Sequence, residues 1–172
     1  MNKKEKVEKN ISLKLETIDD MFSPYSDENN LMIKPEIVAH IENCIDDEKK
    51  NSKVVIHIKT PYEVSEQSIN DCNKAFKNYY RIKQEDDKKE INKMLLVSFA
   101  LLLIGIAITI GQYFLMKANV HFVLQLLTEI IGWAFVWEFV HICFFQCSVK
   151  RVNLKFNTLM LNAKLVFNEK DN

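Results

Sequence analysis

The sequence is short of the residues that bend a chain. It has three glycines and three prolines in 172 residues, and Gly105, Gly111 and Gly132 all fall inside apolar stretches. A glycine-rich loop that cradles a phosphate or a dinucleotide is therefore excluded. Cysteine is also sparse. Cys44, Cys72, Cys143 and Cys147 show neither CxxC spacing nor a zinc-knuckle arrangement with histidine, so no disulfide framework or zinc site is expected. Cys143 and Cys147 stand one turn apart in an apolar segment and read as small hydrophobes. No serine-nucleophile motif is present, and His40 and His57 are single imidazoles that read as surface or satisfied side chains. The 23 basic residues are balanced by 23 acidic ones, which gives no clustered basic face and no expectation of nucleic acid. The first thirty residues lack the apolar core of a signal peptide. No catalytic constellation and no cofactor are expected.

What is present divides sharply. Residues 1–93 hold 17 Lys+Arg and 19 Asp+Glu, whereas residues 94–149 hold only Lys117, Glu129 and Glu138 as full charges. From Met94 to Met116 the chain reads MLLVSFALLLIGIAITIGQYFLM, 23 residues without a charge. About 20 apolar residues span a ~30 Å hydrocarbon layer as a helix. A second stretch, Val120 to Phe145, is less clean but rich in aromatic and aliphatic residues. The link at 117–119 is so short that only an antiparallel hairpin is possible. A soluble hairpin in a large core is the competing reading, and the chain has too little other apolar sequence to build that core.

The expected organisation is thus an N-terminal domain over 1–93, crossings at 94–116 and 120–145, and a C-terminal segment over 146–172 that packs on the N-terminal domain. Lys83, Lys88, Lys89 and Lys93 precede the first crossing, Lys150, Arg151 and Lys155 follow the second, and the loop has Lys117 alone. The positive-inside rule then puts both ends in the cytoplasm.

Polar residues in the crossings fall on stripes. At 100° per residue, Ser98, Gly105, Thr109 and Gln112 share one side of the first helix. On the second, His121, Gln125, Thr128, Glu129 and Gly132 do the same. Small and polar stripes suit packed transmembrane helices, and folding about residue 118 sets Gly105 level with Gly132 and Gln112 near Gln125. Glu138 and His141 lie on the far side of that seam, one turn apart. A Glu-x-x-His pair can ligate a metal when several such motifs converge; with one copy, contact within the pair or with a neighbouring subunit is the better reading. A carboxylate facing lipid is costly unless neutral or partnered.

In the charged part, Asn10–Thr17 alternates as a strand does. Met21–Asn30 reads as an irregular loop. Pro35 opens a helix with Ile37, Ile41, Cys44 and Ile45 on its apolar side, and Lys53–Lys59 is a β-branched strand. Thr60-Pro61-Tyr62-Glu63 reads as a helix start with a capping box. From there one helix is expected without a break to Met116, with Ile69, Cys72, Phe76, Tyr79 and Tyr80 towards the core. Asn153–Lys164 reads as helix and Lys164–Asn168 as a closing strand. The fold class is α+β: an antiparallel transmembrane hairpin with a small cytoplasmic α/β domain of two or three strands built from both tails.

The run MFSPYSDENNLMIKPEIVAHIENCID, then VVIHIK, KAFKNYYRIKQ, IGWAFVWEFVHI and a tail ending in LVFN resembles a widespread family of uncharacterised bacterial two-helix inner-membrane proteins. The likeness covers about residues 19–168 and is most specific at Gly132-Trp133 with Trp137. The chain departs from the family's pattern at Glu138-Phe139, where a proline is expected, and at His141, where a carboxylate is expected. The resemblance implies a bacterial inner-membrane location and carries no activity or catalytic residue.

Three functions follow as expectations. The first is a non-enzymatic membrane protein that associates with itself or scaffolds another membrane protein through its cytoplasmic domain. The second is a small ion- or proton-conducting, or membrane-perturbing, oligomer with Glu129, Glu138 or His141 along the path. The third and weakest is a metalloenzyme using Glu138 and His141.

Overall fold

The computed structural model describes residues 8–27, 31–45, 53–118 and 120–167. The chain forms strand β1 (Glu8–Lys14), a short 3-10 turn (Ile18–Met21), helix α1 (Pro35–Asn43), strand β2 (Lys53–Lys59) and helix α2 (Glu66–Lys117). Helix α3 (Phe122–His141) follows, then a π turn (Ile142–Gln146), helix α4 (Cys147–Leu161) and strand β3 (Lys164–Phe167). Two compact units result: one comprises residues 1–85 and 154–172, the other 86–153.

In the first unit the three strands lie in the order β1-β2-β3, and both pairings are parallel. Parallel neighbours need a crossover connection. Helix α1 lies on the connection from β1 to β2. The whole stretch from residue 60 to 163 connects β2 to β3. Ile11 is level with Ile56 and Leu165, and Leu13 with Ile58 and Phe167. These alternate positions form one buried face, against which Ile37, Val38 and Ile41 of α1, Cys72, Ala75, Phe76 and Tyr80 of α2, and Met160 of α4 pack. On the other face Asn10, Ser12, Lys14 and Lys164 stay exposed. Most all-parallel sheets are covered on both sides; the described residues cover this one on one side.

Burial sets the chemistry of the core. It pushes the Cys72 thiol up to about 12, with Asp71 and Asp19 adding to the effect, so Cys72 is a packing group and not a nucleophile. The Tyr80 phenol is raised by burial first and by the nearby Glu42 carboxylate second. Glu42 itself pairs with Lys83 at 3.0 Å and ties α1 to α2. Gln84 Nε2 donates to Thr158 Oγ1 at 2.8 Å and ties α2 to α4. In the loop after β1, the Thr17 backbone N–H and hydroxyl both donate to Asp20, at 3.0 and 3.1 Å, and hold its carboxyl below the usual range.

Strands β2 and β3 stand where the sequence places them, and β1 ends at Lys14, earlier than the alternation suggests. Helix α1 is shorter than the sequence suggests, ending at Asn43. The helix start is corrected. Thr60 and Pro61 do not cap α2, because the Thr60 hydroxyl donates instead to the Tyr62 carbonyl at 2.8 Å. The helix begins five residues later, where Ser65 Oγ accepts from the Ser68 N–H at 3.1 Å, the usual work of an N-cap. α2 then runs unbroken for 52 residues. Helix α4 begins at Cys147, ahead of the expected Asn153.

Two helical stretches, Glu66–Lys117 and Phe122–Leu161, are long and apolar enough to cross a membrane. Only 11% and 17% of their most apolar windows are buried. A core helix of a soluble protein would be mostly buried, so these helices turn their apolar surface outward.

Phe76 is 1% exposed in the first unit, whereas Ile82 is half exposed. Phe76→Ala should cost about 3–5 kcal/mol, and Ile82→Ala within about 0.5 kcal/mol. Denaturant unfolding of the full chain in detergent, followed by hydrogen exchange in β2, measures both.

Candidate functional site

In the second unit, the apolar part of α2 and helix α3 pack antiparallel, and glycine brings them together. A Cβ built on Gly105 would lie 3.1 Å from Val136 Cγ2 and 3.2 Å from the Gly132 carbonyl oxygen. One on Gly132 would lie 3.3 Å from Ile108 Cγ2. Both glycines are buried, and the expected level match between them is what the backbones show. Gly111 has nothing within 4 Å of its Cβ position and is not part of the seam.

The polar stripe is used differently from what its angles suggest. Ser98 is fully buried and donates to the Leu95 carbonyl at 2.8 Å, with Cys143 Sγ 3.4 Å away on the other helix. Thr109 donates to the Gly105 carbonyl at 2.9 Å and Thr128 to the Leu124 carbonyl at 2.8 Å. These hydroxyls satisfy themselves on their own helix. Gln112, 8% exposed, does not meet Gln125. Its amide donates to Glu129 Oε2 at 3.4 Å, while Gln125 donates to the Val120 carbonyl at 2.9 Å, at the start of α3. His121 is the N-cap of α3, its Nδ1 accepting from the Val123 N–H at 3.4 Å. Of the site residues named from sequence, then, Gly105 and Gly132 meet across the seam. Glu129 reaches over it to Gln112, and His121 and Gln125 serve the helix end.

Glu138 and His141 stand apart from this seam. Their side chains are 49% and 45% exposed, with Glu138 Oε1 3.6 Å from His141 Nδ1. His141 Nδ1 also lies 3.5 Å from Gln146 Nε2, and the Phe145 ring centre is 5.8 Å from the imidazole. Trp133 and Trp137 point outward nearby, about two-thirds exposed. Among the described residues no three His, Cys, Asp or Glu side chains gather as metal ligands would.

Three features were missed from sequence. The π turn brings Gln146 to His141. Cys147 is fully buried, with Ile91 and Ile142 also buried in this unit. Lys150 Nζ lies 2.7 Å from Glu90 Oε2, and this hydrogen bond, the largest influence, holds the lysine pKa above its usual value. The pair Glu90 and Lys150 flanks the two apolar stretches at matching distances, which is the one signal that could have revealed it.

No protein-family model, curated protein or solved structure matches this chain. The site is therefore read from its own chemistry.

The glycines give a direct test of the seam. Gly105→Ala forces contacts of about 3.1–3.3 Å onto a side chain and a carbonyl, and overpacking of this kind costs about 1–3 kcal/mol. Gly111→Ala meets nothing and should be neutral or gain up to about 1 kcal/mol of helix propensity. Reversible unfolding in mixed micelles compares the two.

Proposed function

We propose that this chain is a non-enzymatic integral membrane protein of the bacterial inner membrane that associates with itself or with another membrane protein. The observation that carries the reading is the Glu138–His141 pair. It sits half exposed on the outside of α3, near the exposed rings of Trp133 and Trp137. In a hydrocarbon environment a lone acidic residue costs about 2.5–3.5 kcal/mol at a helix centre and less near the interface. A protein surface relieves that cost.

Membrane insertion is supported by the length of the two helices and by how little of their apolar surface is buried. The family resemblance of the Gly132-Trp133…Trp137 segment favours the bacterial inner membrane. For orientation, the lysines and arginines gather beside residues 94 and 145, with Lys117 alone between the helices, which favours both ends in the cytoplasm. Reporter fusions after Met1 and Asn172 test this: both should report the cytoplasm. Opposite compartments would rule out the hairpin, and both outside would reverse the orientation.

Conduction is the weaker reading. Glu129 and Glu138 are nine residues apart, about 180° around a helix, so one copy of α3 cannot present both to a single path.

Association through the pair is tested by Glu138→Gln with His141→Leu. The double variant should insert normally and crosslink to its partner at least several-fold less in native membranes. Unchanged crosslinking would leave the pair as a solvated group at the membrane boundary.

A further inference from the structure

We infer that the π turn at Ile142–Gln146 completes a self-complementary docking line, Glu138–His141–Gln146, whose occupant is the same line on a second copy of this chain. The inference rests on the association reading above and names its partner and geometry.

In a regular α-helix a residue five positions on lies about 140° around the axis, so Gln146 would point away from His141. Here the backbone is wider. The Cys147 N–H donates to the Ile142 carbonyl, five residues back, which is the π pattern. Five residues then make roughly one turn, and Gln146 comes to rest over His141 with 3.5 Å between Nε2 and Nδ1. Beyond the turn Cys147 is fully buried and Lys150 lies on Glu90. Without the extra residue, everything after Gln146 would rotate by about 100°. The turn aligns the outer polar line. π turns inside helices are rare and concentrate at functional positions.

The line has more bonding capacity than it can use alone. His141 Nδ1 faces both Glu138 and Gln146, and one ring nitrogen either donates to the carboxylate or accepts from the amide. When it donates to Glu138, the Gln146 N–H groups are left to find an acceptor. The carboxylate has about four lone-pair sites, and His141 can fill one. The surplus donor on Gln146 and the surplus acceptor on Glu138 are matched by the same two groups on another copy. Two-fold association requires this of an interface, since one patch meets itself. Copies inserted in the same orientation carry the line at the same depth. Trp137, Phe144 and Phe145, all well exposed, flank it and exclude water from the contact.

The test is energy transfer between two differently labelled preparations of the full chain, reconstituted in phosphatidylethanolamine/phosphatidylglycerol vesicles over a range of dilutions. Gln146→Leu, which leaves the backbone alone, should weaken association at least tenfold, as should Gln146→Glu or Glu138→Gln singly. Glu138→Gln combined with Gln146→Glu exchanges acceptor and donor and should restore association to within about threefold of the original chain. A monomeric wild-type chain at all dilutions overturns the association reading itself, and with it this inference. Wild-type association that the Glu138/His141 double variant weakens, but Gln146→Leu does not, overturns only the docking line. Failure of the exchanged pair to recover points to a different partner, lipid headgroups or another protein, and overturns the two-fold contact.

Discussion

The pairing of β3 with β2 is the constraint on which the rest of the chain depends. The two strands are parallel neighbours, yet residues 60–163 lie between them. A parallel pair cannot close through a tight turn, so the intervening chain must leave the sheet and come back to start at the same end. An outgoing helix and a returning helical stretch joined by a few residues are the simplest path that does this. Within the first unit the outgoing helix and the incoming one are held side by side by Gln84 on Thr158, and Cys72, Phe76 and Met160 pack into one core. Strand β3 is only four residues long and donates Leu165 to that core. Without the return of the chain, β2 would be an edge and Ile56 and Ile58 would lose a neighbour.

Within the second unit, specificity rests on shape and on a few pairs of side chains. Ser98, Thr109 and Thr128 spend their hydroxyls on carbonyls of their own helix. Such local bonds satisfy the group but do not choose a partner. The register is fixed by the close approach at Gly105 and Gly132, together with Gln112 reaching Glu129, Ser98 beside Cys143 and Lys150 on Glu90. The amide gives the carboxylate a donor within the same chain, which lowers the cost of placing Glu129 on an apolar helix.

Much of this was legible in the sequence, and the misses have physical reasons. Strands β2 and β3 were readable because β-branched runs leave few alternatives, and the two apolar helices because nothing else accounts for so many uncharged residues. The glycine match followed from counting back from the short link. Parallel pairing was not readable, since alternation gives a strand its faces but not its neighbours. The helix start was misread because Thr60 and Ser65 both carry cap-competent hydroxyls, and the choice depended on the Tyr62 carbonyl taking the first. Folding about residue 118 sets Gln112 near Gln125, but a side chain near a helix start has a free carbonyl close by, and Gln125 uses the one on Val120.

The π turn was invisible for a deeper reason. No residue type demands it, and a periodicity read at 100° per residue contains no such turn. In a regular helix Lys150, eighteen residues after Gly132, would already share its phase, and Cys147 would lie about 60° from it, so the burial of Cys147 and the reach of Lys150 to Glu90 do not by themselves call for the turn. What the turn decides is which side chains share the outer face. That is why Gln146, which a regular helix would carry away from Glu138 and His141, stands beside them. The polar line outside depends on this backbone feature, whereas the packed seam inside is fixed by the glycines and by Gln112 on Glu129.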